Sequence, residues 1–129
     1  MNKIGYKALV DAAEARIRTI SATEAIDKLD ADDVVFVDLR DVRELEREGG
    51  IRGAFHCPRG LLEFWIDPES PYHKTVFAEP KEFVFFCNLG WRSALAADVA
   101  QQMGLKTCHI AGGIVAWKAG GGETTQGKD

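Results

Sequence analysis

The stretch EFVFFCNLGWRS, residues 82–93, holds the clearest structural signal in the chain. After Glu82 it begins with an apolar run, FVFF, that no polar residue interrupts. Such a run is typical of a strand buried on both faces of a parallel sheet, because a half-exposed strand alternates apolar and polar residues. The run leads into Cys87 and a loop that contains Gly90, and an alanine-rich helix follows over 94–103. We therefore predict that Cys87 lies at the carboxyl end of a buried strand, where parallel sheets bind ligands.

Strands and helices alternate along the rest of the chain as well. Ser21 and Glu24 form a capping box, which marks the start of one helix. The patterns predict strands at 18–20, 34–37, 53–56, 82–86 and 107–110, and helices at 6–17, 22–29, 41–48, 58–65, 94–103 and 114–118. On the first helix, helical spacing predicts one apolar side formed by Tyr6, Leu9, Val10, Ala13 and Ile17. This order of elements predicts an α/β fold with a mostly parallel sheet.

Composition narrows the class of protein. The 129 residues are the usual size of one domain, and 46% of them are hydrophobic, which is enough for a core. The net charge of −4 and the scattered lysines and arginines argue against a nucleic-acid or membrane partner. No apolar stretch approaches the ~20 residues of a transmembrane helix, and the N-terminus lacks a signal-peptide pattern. We therefore expect a cytoplasmic protein.

The cysteines argue against a structural disulfide or metal site. Cys57, Cys87 and Cys108 are odd in number and show no CxxC spacing, unlike a disulfide framework or a zinc site. The His, Asp and Glu residues show no metal-ligand spacing either, so we expect no metal and no cofactor. The thiols are expected to stay reduced, and a free thiol can act as a catalyst.

The residues after Cys87 suit a reactive sulfur or a bound oxyanion. Gly90 allows a tight backbone path, so that successive N–H groups of the loop can point toward one centre. The predicted helix adds positive potential at its N-terminus, and Arg92 adds a full charge. These surroundings favour the thiolate, which is the nucleophilic form of cysteine. The alternative is an inert cysteine buried at a strand end, but the combination of cysteine, glycine-containing loop, arginine and helix start favours reactivity.

Four segments carry a resemblance to a known family. Residues 87–93, CNLGWRS, resemble the CxxGxRS active-site loop of rhodanese-like domains. Residues 37–40, VDLR, resemble the family's DxR segment at the end of its first core strand. Residues 49–54, GGIRGA, resemble its GHIxGA segment, and residues 112–117, GGIVAW, its GGxxxW segment. The four occur in the family's order and span most of residues 20–120.

The resemblance implies a rhodanese-like fold, with a five-stranded, mostly parallel sheet flanked by helices on both faces. It implies a rhodanese-like domain at 18–120, preceded by a helical extension at 1–17 and followed by a flexible tail at 121–129. It also implies a sulfurtransferase: a small-molecule or protein donor such as thiosulfate gives its outer sulfur to Cys87, and an acceptor such as cyanide or a thiol removes it. The residues implied to bind the persulfide are Asn88, Leu89, Gly90, Trp91, Arg92 and Ser93.

Two residues that differ from the family pattern, and the spacing between Cys87 and Arg92, refine this expectation. Gly50 stands where the family commonly has His, and Asn88 occupies a loop position that is often cationic in members that use thiosulfate. Four residues separate Cys87 from Arg92, whereas the related phosphatases have five, and the shorter loop suits a single sulfur better than phosphate. We therefore rank a phosphatase or arsenate reductase below sulfur transfer. A non-enzymatic sulfur carrier or partner-binding module remains the alternative.

Further residues near strand ends are candidates for supporting roles. Asp38 and Arg40 end a buried strand, and we expect them to pair with backbone groups or charges near the loop, since buried charges need partners. Arg59 is a candidate for attracting anions near the mouth of the site, whereas Glu44 is interpreted as a solvated charge. We expect His56 to be a hydrogen-bonded strand residue. The sequence leaves the oligomeric state open.

Overall fold

Five parallel strands form one sheet in the computed structural model, which describes residues 3–126. The strands are β1 (Arg18–Ile20), β2 (Val34–Asp38), β3 (Phe55–His56), β4 (Glu82–Phe86) and β5 (Lys106–Ile110). The α-helices are α1 (Tyr6–Arg16), α2 (Ala22–Asp27), α3 (Val42–Glu48), α4 (Leu62–Ile66), α5 (Trp91–Gln102) and α6 (Gly113–Ala119). Short 3₁₀ helices lie at Arg59–Leu61 and Thr75–Ala78. None of the helices in this described part is long and apolar enough to cross a bilayer.

The strand order, β1-β5-β4-β2-β3, places β4 in the middle of the sheet. Val84 of β4 is in register with Phe36 of β2 on one side and with Cys108 of β5 on the other. All five residues of β4 are buried, as its unbroken apolar run predicts. Cys87 therefore follows the central strand directly, and the predicted α/β fold with a five-stranded parallel sheet is confirmed.

Helices cover both faces of the sheet, because alternate residues of the central strands point to opposite sides. Phe83 and Phe85 pack on one side with alanines of α5 and with Leu62 of α4. Val84 and Phe86 pack on the other side with residues of α2 and α6, among them Trp117. Burying each large apolar side chain contributes roughly 1.5–3 kcal/mol, so the two layers hold the central strand firmly.

The N-terminal helix α1 docks on α5 through the middle of its length. Val10 and Ala13 pack against Ala94, and Arg16 donates hydrogen bonds of 2.9 and 2.6 Å to the carboxylate of Asp98. The predicted apolar side is only partly correct. Tyr6 and Leu9 are exposed, because this first part of α1 extends over the active-site loop instead of over the core.

The segment after α6 folds back on the domain. The indole N–H of Trp117 donates a 2.8 Å hydrogen bond to the carbonyl of Glu123, and Thr125 exchanges hydrogen bonds with Gly50 through its backbone and its hydroxyl. Thr125 Oγ1 lies 3.9 Å from the position that a Cβ would take at residue 50. The segment at 121–129 was predicted to be a flexible tail, and its residues 127–129 lie outside the described part.

Candidate active site

The thiol of Cys87 sits at the centre of the loop that joins β4 to α5. Only 1% of the residue is exposed. The backbone N–H of Gly90 donates to Cys87 Sγ at 3.2 Å, and the N–H of Ser93 donates to it at 3.4 Å. Both donors lie at the start of the 12-residue helix α5, whose dipole adds positive potential at this point. The loop thus directs hydrogen-bond donors and partial positive charge at the sulfur atom.

Two glycines, Gly90 and Gly113, determine the backbone path of the loop. Gly90 has a φ of +101°, a left-handed conformation that side chains rarely adopt, and it lets the chain turn into α5. Gly113 opens α6, where the next two N–H groups donate to the carbonyls of Cys87 and Asn88 at 2.9 and 3.3 Å. A Cβ at residue 113 would lie 2.5 Å from the Cys87 carbonyl oxygen. The beginning of α6 therefore holds the first part of the loop in place.

A small cavity of about 190 Å³ opens at the loop. Its walls are formed by Cys87, Asn88, Leu89, Trp91 and Arg92. About half of the surface of Leu89 and Trp91 is exposed, and the ring of Trp91 lies 4.7 Å from that of Tyr6, centroid to centroid. The approach to the sulfur is therefore mostly apolar, and α1 contributes to it.

Arg92 does not point a free charge into the loop, contrary to our expectation. Its guanidinium donates two hydrogen bonds, of 2.7 and 3.0 Å, to the carboxylate of Glu44 on α3. Glu44 is half-buried and is therefore not the solvated charge that we expected. The hydrogen bond from Arg92 holds the pKa of the Glu44 carboxyl below its usual range, so the pair persists as the pH falls toward that lowered value.

Glu44 has a second role that the sequence could have revealed. Its carboxylate also accepts a 3.0 Å hydrogen bond from the N–H of Asp41, as part of the capping box that starts α3. The D-x-x-E pattern at 41–44 marks this helix start and fixes the direction of the Glu44 side chain. The sequence carries no signal that Arg92, 48 positions away, becomes its partner.

Asp38 and Arg40 form a buried pair, as expected for structural residues. Arg40 donates to the Asp38 carboxylate at 3.0 and 2.8 Å, and to the carbonyl of Gly49 at 2.8 Å. The carbonyl of Arg40 lies 2.7 Å from His56 Nε2, so His56 is a hydrogen-bonded strand residue. Together these contacts join the end of β2 to β3 and to the end of α3.

Arg59 lies outside the cavity at Cys87. It pairs with Glu63 at 2.9 Å, one helical turn further along, and its N–H donates to the carbonyl of Leu39. The predicted role in attracting anions is therefore not supported by its position, because a neighbouring carboxylate shares its charge.

A chain of polar groups behind Cys87 was missed by sequence reasoning. Ser93 Oγ lies 3.6 Å from Cys87 Sγ and 3.0 Å from Nδ1 of His109 on β5. His109 Nε2 lies 3.3 Å from a carboxylate oxygen of Glu14 on α1. The only signal in the sequence is a histidine at an inward position of a buried strand, because no pattern predicts that α1 passes over it.

The other two cysteines are inert by comparison. Cys57 and Cys108 are fully buried, and burial raises the pKa of their thiols to about 12 and about 11. Within residues 3–126, no three His, Cys, Asp or Glu side chains are grouped so that they could hold a metal ion.

Comparisons with known proteins agree with the four sequence segments. The model of the rhodanese-like domain matches residues 21–120. The "Putative sulfurtransferase YtwF" of Bacillus subtilis (strain 168) is 34% identical over 110 residues, which cover 84% of this chain and 94% of that protein.

Two solved structures superimpose closely. A protein of unknown function from Rhodopseudomonas palustris CGA009, described as a possible tyrosine phosphatase, is 52% identical, with a TM-score of 0.93 and 97% of each chain covered. The polysulfide-sulfur transferase homodimer from Wolinella succinogenes is 30% identical, with a TM-score of 0.69; the match covers 93% of this chain and 86% of that one.

Proposed function

The chain belongs to the rhodanese-like domain family, and on that premise we propose that it transfers sulfane sulfur through a persulfide on Cys87. In the first step, Cys87 Sγ attacks the outer sulfur of a donor. An S–S bond forms to Sγ, and the bond inside the donor breaks with its electron pair staying on the departing group. In the second step, a thiol or cyanide attacks that outer sulfur, and the electron pair of the Cys87–S bond returns to Sγ.

The observation that carries this proposal is the set of donors around Cys87 Sγ. The N–H groups of Gly90 and Ser93 lie 3.2 and 3.4 Å from the sulfur at the start of α5. Such donors stabilise the negative charge of a thiolate before transfer, and of the terminal sulfur of a persulfide after it. The cavity of about 190 Å³ leaves room for one added sulfur beside the loop.

The charges at the mouth favour an organic persulfide donor, which carries less negative charge than thiosulfate. Thiosulfate is a dianion, and its binding is strengthened by cations near the loop. Asn88 is neutral, and the charge of Arg92 is shared with Glu44. Leu89 and Trp91 present apolar surface to the donor. The Wolinella succinogenes relative, a polysulfide-sulfur transferase, supports sulfane sulfur as the group that is transferred.

A phosphatase is the second candidate, because the Rhodopseudomonas palustris neighbour is described as a possible one. Phosphate ester hydrolysis requires donors to surround a whole phosphate group and an arginine that faces it. Here four residues separate Cys87 from Arg92, and Arg92 faces Glu44 instead. These features rank a phosphatase, or an arsenate reductase, below sulfur transfer. The remaining alternative, a non-enzymatic sulfur carrier, would form the same persulfide on Cys87 but would deliver its sulfur to a partner protein.

The deciding experiment compares three activities in one preparation. Thiocyanate formation is measured from cyanide with either thiosulfate or a small persulfide as donor, beside hydrolysis of an aryl phosphate. We expect Cys87-dependent thiocyanate formation, faster with the persulfide, and no phosphate release. Cys87→Ser should abolish sulfur transfer, whereas Cys57→Ser, the matched control, should leave it intact.

Each other outcome identifies a different function. Phosphate release that disappears in Cys87→Ser would overturn the proposal in favour of a phosphatase. Sulfur loading without release to cyanide or small thiols would favour the carrier.

Because the free thiols require reduction to remain active, we also propose that the protein works in the cytoplasm.

A further inference from the structure

His109 is the buried titratable residue nearest to Ser93, and family membership gives it no role. It lies in β5 with 1% of its surface exposed. A buried imidazole costs free energy unless its nitrogens find partners, and here both face polar groups. Nδ1 lies 3.0 Å from Ser93 Oγ, and Nε2 lies 3.3 Å from Glu14 Oε2.

The distances allow a chain of hydrogen bonds from the thiol to the imidazole. Cys87 S–H is placed to donate to Ser93 Oγ at 3.6 Å, and in one of the two neutral tautomers of His109 the Ser93 hydroxyl donates to Nδ1 at 3.0 Å. Neutral His109 then carries its proton on Nε2, the nitrogen that faces Glu14. Among residues 3–126, Nε2 has no well-aligned hydrogen bond, so its contact with the carboxylate is mainly electrostatic.

Glu14 is the charged group that dominates the surroundings of His109. A cavity of about 410 Å³ separates α1 from the active-site loop, and its charged or titratable lining residues are Tyr6, Lys7, Asp11, Glu14 and His109. The residues in register with His109 on the flanking strands are Thr19 of β1 and Phe85 of β4, which carry no charge. From α5, the group that faces the ring is the hydroxyl of Ser93.

Two opposing effects act on the pKa of the His109 imidazole. Burial lowers the pKa of His109 below its usual value, and the Glu14 carboxylate acts in the opposite direction. The ring is therefore neutral and able to accept a proton at neutral pH, and Glu14 stabilises the imidazolium once it forms.

We propose that His109, held against Glu14, is a positioning residue that accepts the Cys87 proton through Ser93 and so sets the amount of thiolate. The Cys87 S–H bond breaks and its proton passes to Ser93 Oγ, while the Ser93 proton passes to His109 Nδ1. The products are a thiolate and an imidazolium beside the Glu14 carboxylate, with no change in total charge. When the Cys87–S bond of the persulfide breaks, the protons can return by the same route to the sulfur that regains its electron pair.

The inference gives α1 a part in the chemistry. The family model matches residues 21–120, whereas Glu14 belongs to the extension that precedes it. The docking of Val10 and Ala13 on Ala94 fixes α1 so that Glu14 reaches the ring of His109. The mechanistic use of the thiolate rests on the proposed function, but the proton transfer itself does not require sulfur transfer.

Alkylation of Cys87 as a function of pH tests the proposal without any sulfur donor. The variants are His109→Asn, which keeps a polar group near Ser93 but accepts no proton, and Glu14→Gln, which removes only the charge. We expect His109→Asn to move the midpoint of the rate profile up by about one pH unit, and Glu14→Gln by about half a unit. His73→Asn is the control, since His73 is also hydrogen-bonded, to the carbonyl of Trp65, although it is only half-buried. It should leave the midpoint unchanged.

An unmoved midpoint in folded His109→Asn would overturn the proposal. Nitrogen NMR of the His109 ring gives a second test that needs no His109 variant. The titration midpoint of His109 should fall in Cys87→Ser, since coupling between two sites is reciprocal. Equal midpoints in the two proteins would also overturn it. A shifted alkylation midpoint in a protein that never accepts sulfur would support the relay while contradicting the proposed function.

Discussion

Cys57 and Cys87 occupy similar places and have different surroundings. Each comes directly after a strand of the parallel sheet, β3 in one case and β4 in the other, and each is buried. The residue after Cys57 is Pro58, which has no N–H. Within residues 3–126, Cys57 Sγ makes one hydrogen bond, which it donates to the Pro58 carbonyl at 3.8 Å. Cys87 Sγ instead accepts hydrogen bonds from two backbone N–H groups, which lie where the loop leads into helix α5.

The comparison indicates that the end of a parallel strand is not sufficient for reactivity. Burial is the main reason that the pKa of the Cys57 thiol rises to about 12, which keeps that thiol protonated. The difference at Cys87 comes from the loop after β4, because Gly90 turns the chain and the first turn of α5 supplies donors. We therefore expect the reactivity of Cys87 to depend on oriented backbone amides, and variants of the loop and its surroundings can test this dependence.

The largest expected difference is in alkylation at neutral pH. With pKa values of about 12 and about 11, Cys57 and Cys108 have thiolate fractions on the order of 10⁻⁵ and 10⁻⁴ at pH 7. We expect iodoacetamide to label Cys87 at least about 100-fold faster than either. Peptide mapping after limited labelling measures this ratio. Labelling of Cys57 or Cys108 before Cys87 would refute the assignment of the site.

A methyl group at residue 113 should disturb the loop without touching the thiol. Gly113→Ala would force the carbonyls of Cys87 and Asn88 away from α6, since its Cβ would lie 2.5 Å from the Cys87 oxygen. We expect about 1–3 kcal/mol of lost stability in urea unfolding and about a tenfold loss of sulfur loading. Gly53→Ala is the matched control, because Gly53 also has a positive φ, of +77°, and nothing lies within 4 Å of the added atom. Equal behaviour of the two variants would show that α6 does not support the loop.

The smallest expected effect concerns the charge at the mouth. Glu44→Gln removes the partner of Arg92 and leaves its cation free to meet an anionic donor. We expect the KM for thiosulfate, a dianion, to fall about three- to tenfold, and the KM for a small organic persulfide, which carries at most one negative charge at its sulfur, to fall less. Glu46→Gln makes the same charge change at an exposed position of α3 and should have no effect. If both variants change the KM equally, only the net charge matters and the Arg92–Glu44 contact does not.

The sequence predicts the local parts of the site well. The apolar run before Cys87 indicates a buried strand, and the loop and helix after it are contiguous with it, so residues 82–94 predict their order and place, although not the support that the loop receives from α6. The fold is predicted from the same alternation of strands and helices.

Contacts between distant segments could not be predicted in the same way. The partner of Arg92 is 48 positions away, and Glu14 reaches His109 only because α1 docks on α5. A charged residue on an amphipathic helix carries no signal for which side chain it will meet. Arg59 is a different case, because its partner Glu63 lies only four residues further along, at a spacing that the sequence does show.

The mass of the intact protein after exposure to a sulfur donor tests the central claim most directly. The protein is incubated with a small persulfide and desalted without reductant, and its intact mass is measured by mass spectrometry. Peptide mapping then locates any added mass. We predict the addition of one sulfur atom, on Cys87, in wild type and in Cys57→Ser, and none in Cys87→Ser. An unchanged mass in wild type, or sulfur located on Cys57 or Cys108, would contradict the account.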